Sequence, residues 1–364
     1  MLQKRHIVLT VLILSALSAC VKHSEYVDYP EPVAFSTYFV RGTKADAGSY
    51  VSGSFVPDGS SFAVFSWYHD NSNWATDAPS APDFMYREEV TRTGSSFTYS
   101  PVKYWPNETG DRLSFWAFYP YDSYTTGNTG SLELYRTDKS TAYSNTSTGL
   151  PYAVFTVEDD PEDQLDLMFS DVNKDISKPA VGAKVNIQFH HALTQVVFKA
   201  ISKGPSGMDI VINSLSLKDV VMKGGVQTTD TATSAVWEPD ASVVSDIDLD
   251  LVSGSIPVEA DGESAAVITA AGQELLLIPQ TLKDADHNVL LEVTYTITPP
   301  SGVTGHAVEY SFEVELSSTD LAAWAMGKIV TYTLNINSDS LIWFSVNTSP
   351  WDATGGMNES IIVE

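Results

Sequence analysis

The residue best placed for covalent chemistry is the chain's one cysteine, Cys20, which closes the run Leu17-Ser18-Ala19-Cys20. Ahead of it, Lys4 and Arg5 give a positive start, and residues 7–19 form an apolar run. That run is too short to hold a bilayer as a spanning anchor and has the length of a secretory segment. Small residues followed by cysteine resemble a bacterial lipobox: the chain is cut before Cys20, whose thiol carries lipid and which becomes the first residue. Two or more acyl chains, at about 0.8 kcal/mol per buried CH₂, anchor a protein stably. Residues 1–19 are therefore expected to be a lipoprotein signal peptide. Residues 20–32, polar and bearing two prolines, are expected to be a tether.

Other residue types that do chemistry stand apart from one another. No G-x-S-x-G, H-E-x-x-H, G-x-x-x-x-G-K or G-x-G-x-x-G motif occurs. His190 and His191 are neighbours, so on a strand they point to opposite faces and cannot grip one metal together. The pattern predicts a histidine at the core edge beside one at the surface. Asp246, Asp248 and Asp250 have the spacing that starts a calcium loop. Leu251 stands where such a loop needs glycine, and Pro257 where it needs glutamate. Alternation of the aspartates with Ile247, Leu249 and Leu251 predicts a strand with a solvated acidic face. Trp74, between Asn73 and Ala75, is the tryptophan expected to be exposed, and an exposed indole can stack on a sugar. No catalytic, cofactor-binding or metal site is expected, and the chain is read as not an enzyme.

The 364 residues carry 20 Lys+Arg against 46 Asp+Glu, a net charge of −26. Loss of Lys4 and Arg5 with the signal peptide leaves 18 basic residues and a charge of −28. Such a chain repels phosphate backbones, which disfavours nucleic acid as a partner. With 11% aromatic residues there is ample material for a core.

Stretches of period-two alternation must position whatever these residues do. Val308, Tyr310, Phe312, Val314 and Leu316 alternate with polar residues, as do Leu291, Val293, Tyr295 and Ile297. Val330, Tyr332, Leu334 and Ile336 form a third set; Leu113, Phe115, Ala117 and Tyr119 a fourth; Val185, Ile187 and Phe189 a fifth. Each reads as a half-buried antiparallel strand. Phe115, Tyr119, Phe189, Ile278, Phe312 and Tyr332 are expected in cores. A short helix is expected from about Ser318 to Met326, ended by Gly327. Residues 122–149 and 158–163 read as loops. The polar, Pro- and Gly-bearing stretch 173–184 suggests a seam between domains at 33–180 and 181–364.

Several segments together resemble the fimbrillin superfamily, the subunits of type V pili of Bacteroidales. They are Tyr104-Trp105-Pro106 with the run 113–120 (LSFWAFYP), Asp166-Leu167-Met168, the strand 185–193, Leu276 to Gln280, Trp324-x-x-Gly327-Lys328-x-x-x-Tyr332, and Trp351. The resemblance spans about 250 residues. It implies an all-β chain of two transthyretin-like β-sandwich domains in tandem. It also implies a structural subunit of a cell-surface fimbrium, exported as an outer-membrane lipoprotein precursor and polymerising by protease-activated strand exchange. Its partners are then other fimbrial subunits, identical or paralogous, the outer membrane through the lipid on Cys20, and a trypsin-like protease. Residues 33–40 (VAFSTYFV) read as the removable strand, and the cut is expected between Arg41 and Gly42, in a basic, exposed turn. Gly355-Gly356 is a hinge, and Ser360, Ile361, Ile362 and Val363 are the candidate donor strand. Thr231 and Ser340 lie in triplets similar to the O-glycosylation site of these bacteria. The alternative is a tip adhesin or surface lipoprotein that binds a glycan or host protein, which an exposed aromatic platform would favour.

Overall fold

The computed structural model describes residues 30–39, 56–77, 80–125, 130–318, 321–338, 342–351 and 359–363. Cys20, Arg41, Gly42 and Ser340 lie outside them. The described chain is all-β. In order, its strands are β1 (Phe35–Phe39), β2 (Ser61–His69), β3 (Met85–Thr93), β4 (Ser96–Thr98), β5 (Arg112–Tyr119), β6 (Leu132–Tyr135) and β7 (Tyr152–Thr156). There follow β8 (Met168–Ser170), β9 (Asn173–Ile176), β10 (Val185–His191), β11 (Thr194–Ser202), β12 (Asp209–Val221), β13 (Lys223–Gln227), β14 (Trp237–Pro239) and β15 (Val244–Asp248). The last are β16 (Ala266–Val267), β17 (Leu275–Leu277), β18 (Leu290–Thr298), β19 (Val308–Glu315), β20 (Lys328–Ile336), β21 (Ile342–Pro350) and β22 (Glu359–Val363).

Four sheets result. The largest runs β1-β10-β8-β5-β2-β3-β4, with β9 also on β5. A second runs β16-β11-β20-β21-β22, with β17 also on β11. Two four-stranded sheets run β15-β12-β18-β19 and β14-β13-β7-β6. The expected seam at 173–184 contains β9 and ends where β10 begins, and both strands hydrogen-bond into the first sheet. Residues 31–364 cluster as one compact unit.

Where one face is solvated, alternation translates directly into burial. On β18, Leu291, Val293, Tyr295 and Ile297 are buried while Glu292 and three threonines are half-exposed. β5 is different: Leu113 to Tyr119 are all buried. Leu113, Phe115, Ala117 and Tyr119 enter a smaller core shared with β1, β2 and β10. Trp116 and Phe118 enter the main core on the other face. This sheet is buried on both sides, so its central strands carry apolar residues at every position.

The sequence motifs act as pins. Gln280 accepts from the Val221 N–H at 3.0 Å and donates to the Val221 and Ile278 carbonyls at 3.1 and 3.0 Å, fixing β12 against 278–280. Trp324 Nε1–H donates to Tyr332 Oη at 3.0 Å inside the core, and burial pushes the Tyr332 hydroxyl far above the ordinary phenol range. Phe115, Tyr119, Phe189, Ile278 and Tyr332 are buried as expected.

Three expectations are corrected. Residues 321–326 are irregular, with Leu321 and Trp324 buried and Ala323 bridged to Thr281, so the described part of 318–326 is not helical. The stretch 122–149 contains β6, and Leu132, Leu134 and Tyr143 are buried there. Phe312 is half-buried, because β19 is an edge strand whose apolar row meets the core through contacts such as Phe312–Phe344 at 6.0 Å. Phe312→Ala is therefore expected to cost about 1 kcal/mol, below the range for a fully buried phenylalanine. The urea midpoint read by tryptophan fluorescence measures it.

Candidate strand-exchange site

β1 forms because Val33, Phe35 and Thr37 alternate with Ala34 and Ser36, placing one row inward. It lies at the end of its sheet and pairs in parallel with β10 alone, at five positions from Phe35↔Val185 to Phe39↔Phe189. The bond from the Val185 N–H to the Ala34 carbonyl, at 2.7 Å, continues this pairing outward. On the inward side, Phe35 meets the edges or faces of Phe62 (6.4 Å), Tyr99 (5.6 Å) and Phe115 (5.8 Å). Burial of Val33 and Phe35 contributes about 3–6 kcal/mol together. Thr37 fits less well. It is buried, and its hydroxyl has no hydrogen-bond partner among the described residues. Leaving such a group unpaired costs about 1–3 kcal/mol. Among the described side chains, β1 and its lead-in are thus held by Val33 and Phe35 and by one strand edge, with one polar misfit at Thr37.

Tyr99 clamps the start of the strand. Its hydroxyl donates to the Val33 carbonyl at 2.8 Å, and burial pushes its pKa up to about 12. A folded-state pKa above the unfolded value of about 10 means the contribution is complete below pH 10 and is lost as pH rises toward 12. Tyr99→Phe is expected to lower stability by about 1 kcal/mol at pH 8. It should also flatten the further fall between pH 10 and 12, as read by urea midpoints across that range.

β10 continues from this groove to the root of the carboxy-terminal arm. His191, at its end, has Nδ1 2.9 Å from Asp166 Oδ1 and stacks on the Trp351 indole at 3.9 Å with the planes 1° apart. Trp351 N–H donates to the Gly327 carbonyl at 2.8 Å. Gly327 has φ +67°, which favours glycine, and its own N–H reaches the Leu193 carbonyl at 2.9 Å. Beyond Trp351, the candidate donor residues Ser360, Ile361, Ile362 and Val363 lie in β22. That strand pairs antiparallel with this chain's own β21, from Thr348↔Glu359 to Phe344↔Val363.

The remaining sequence-derived candidates resolve as structural residues. His190 and His191 are both buried, not one in and one out, because β10 belongs to the two-sided sheet; His190 Nε2 lies 3.2 Å from Asp171 Oδ2. Burial would raise the Asp171 pKa, but His190 and the Ala232 N–H outweigh it and hold the carboxyl below its ordinary value. Trp74 is buried, not exposed. Its Nε1–H donates to Asp230 at 3.1 Å, its backbone N–H donates to Asp175 at 2.7 Å, and its ring meets Trp67 edge-on at 5.2 Å. Asp246, Asp248 and Asp250 are exposed while Ile247 and Leu249 are buried, the solvated acidic face expected of that strand. Among the described residues no group of three or more His, Cys, Asp or Glu side chains is placed to hold a metal ion. Thr231 is exposed, beside the ion pair of Asp230 with Lys174 at 2.6 Å.

What the geometry defines is an all-β protein whose first and last described strands both lie at sheet edges, on different sheets. A family model described as Fimbrillin-like matches residues 50–351, and the chain belongs to that family. The fimbrium subunit Fim1C of Phocaeicola vulgatus is 26% identical over 141 residues, covering 37% of this chain and 35% of that protein. The matched region thus spans about a third of that relative's length. The crystal structure of a fimbrial protein from Bacteroides vulgatus superposes with a TM-score of 0.66 at 21% identity, covering 88% of this chain and 99% of that one. That likeness establishes the shared fold.

Proposed function

We propose that this protein is a structural subunit of a cell-surface fimbrium, made as a precursor lipidated on Cys20 and assembled with other subunits by strand exchange. The observation that carries the reading is β1, an edge strand that pairs with a single neighbour yet fills an aromatic-lined core site. A cut between Arg41 and Gly42 separates β1, with the lipid upstream, from the rest of the chain. The groove it leaves presents the unpaired edge of β10 and the apolar site of Val33 and Phe35, the usual template for strand addition.

In this reading the donor is β22 of another copy or of a paralogous subunit. β22 gives up five paired positions on β21 and gains five beside β10, so backbone pairing balances and side-chain burial decides. A donor with an apolar side chain in the place of Thr37 removes the unpaired hydroxyl and binds better than β1. Until exchange, β22 caps its own β21 and keeps that edge from pairing. The division into transthyretin-like halves at 33–180 and 181–364 is part of the same reading, with β10 pairing back across the boundary.

The adhesin alternative called for an exposed aromatic platform, and seven of the eight tryptophans are buried, with Trp343 half-buried. Electron microscopy after limited tryptic digestion tests the proposal. Wild type should form filaments and Ile362→Asp should not, since a carboxylate buried in a groove is too costly. Filaments from the Ile362→Asp protein would place the donor elsewhere.

A further inference from the structure

We infer that the end of the molecule where β1 begins is a surface that rests on a phospholipid membrane. Val181 is 86% exposed, Tyr104 49% and Val102 47%. The three belong to one bonded patch. The Val33 N–H donates to the Lys103 carbonyl and the Trp105 N–H to the Glu31 carbonyl, each at 2.9 Å. The Gly182 N–H donates to Glu31 Oε1 at 2.7 Å. Val181 sits at the tip of a tight turn closed by the Ala183 N–H on the Ala180 carbonyl at 3.0 Å, with Gly182 at φ +78°. The turn holds an apolar side chain in solvent. Lys178 and Lys184 bracket it, and Lys178 Nζ donates to Asn107 at 2.8 Å, tying the turn to the Tyr104 loop. Two cations beside the turn, in a chain of net charge −26, suit headgroup phosphates, while Val181, Tyr104 and Val102 suit the acyl boundary.

The occupant follows from the chain that enters here. This inference rests on the reading of Cys20 as lipidated. Ten residues lie between Cys20 and Glu31, and the eleven Cα–Cα steps of that stretch, fully extended, reach no more than about 40 Å. The tether therefore joins the body at the centre of the patch, since Glu31 bonds both Trp105 and Gly182. A cut after Arg41 removes Glu31 and Pro32 along with β1, so the bonds from Glu31 to Trp105 and Gly182 are lost in the same step as the lipid, while Val102, Tyr104 and Val181 stay on the body.

Attachment of the full-length lipidated precursor to phosphatidylethanolamine–phosphatidylglycerol vesicles tests this. With Cys20 lipidated, V181C or Y104C supplies the one free thiol for an environment-sensitive fluorophore, and V303C, at an exposed valine outside the patch, is the control. Labels at 181 and 104 should shift to the blue and be quenched by lipid-borne nitroxides, while the label at 303 should not. Vesicle-bound protein whose 181 label stays water-like overturns the inference and leaves the lipid reading standing. Protein that fails to bind vesicles overturns the lipid reading and the inference with it. A 181 label shielded only in assembled subunits without vesicles overturns it in favour of a neighbouring subunit.

Discussion

Replacing Arg41 with alanine is expected to leave the precursor uncut by a trypsin-like protease and to abolish assembly. β1 ends at Phe39, two residues before the proposed cut. With the strand still joined to the body, its removal requires local unfolding against the burial of Val33 and Phe35, about 3–6 kcal/mol, and five paired positions. With the chain cut, the same strand becomes a separate short peptide that dissociates once and is diluted. The effect on filament yield is therefore close to all-or-none. Lys44 is the next basic residue, and the double variant Arg41→Ala with Lys44→Ala is expected to behave as Arg41→Ala does. Mass spectrometry of the digested protein with size-exclusion chromatography reads both the cut and the assembly. Normal maturation and assembly of Arg41→Ala would show that the cleavage assignment is wrong.

The second large effect is on stability. Phe115→Ala is expected to cost about 3–5 kcal/mol, because the ring is fully buried and the cavity left behind has rigid aromatic walls. Phe115 touches both Phe35 at 5.8 Å and Trp105 at 5.9 Å, so the cavity opens directly under β1. The same variant should therefore release β1 more readily after cleavage, with faster assembly at a given protease dose. Urea denaturation before cleavage measures the first consequence, and the lag before filament growth the second. A loss under 1 kcal/mol would mean that Phe115 does not support the groove.

The sequence carried the strands wherever one face meets water. β18, and β20 as far as Leu334, could be read residue by residue because Glu292 or Thr331 marks the solvated side, whereas Asn335 of the polar row is buried. β5 could not be read fully, since a strand buried on both faces loses the polar half of the pattern and Trp116 looks like an irregularity. Phe312 shows a different limit: alternation reports which way a side chain points, not what covers it, and β19 has one strand neighbour. Trp74 lay in a polar stretch, but the groups that bury and bind it, Asp175 and Asp230, are 101 and 156 residues away. The same distance problem shaped the site. β1 was legible as a strand within residues 33–40, whereas its parallel partner lies 150 residues on, and nothing local encodes that pairing. The stack of His191 on Trp351, at the root of the carboxy-terminal arm, was hidden for the same reason.

Hydrogen exchange at β10 tests the central claim most directly. In the precursor, the amides of residues 185–189 that pair with β1 should exchange slowly. After cleavage and removal of the strand they should become fast in the monomer, and in the assembled fimbrium they should be slow again. Amides of β18, in the middle of another sheet, should stay slow throughout. Protection of residues 185–189 that is unchanged by cleavage would contradict the account, because the groove vacated by β1 would then not be where subunits join.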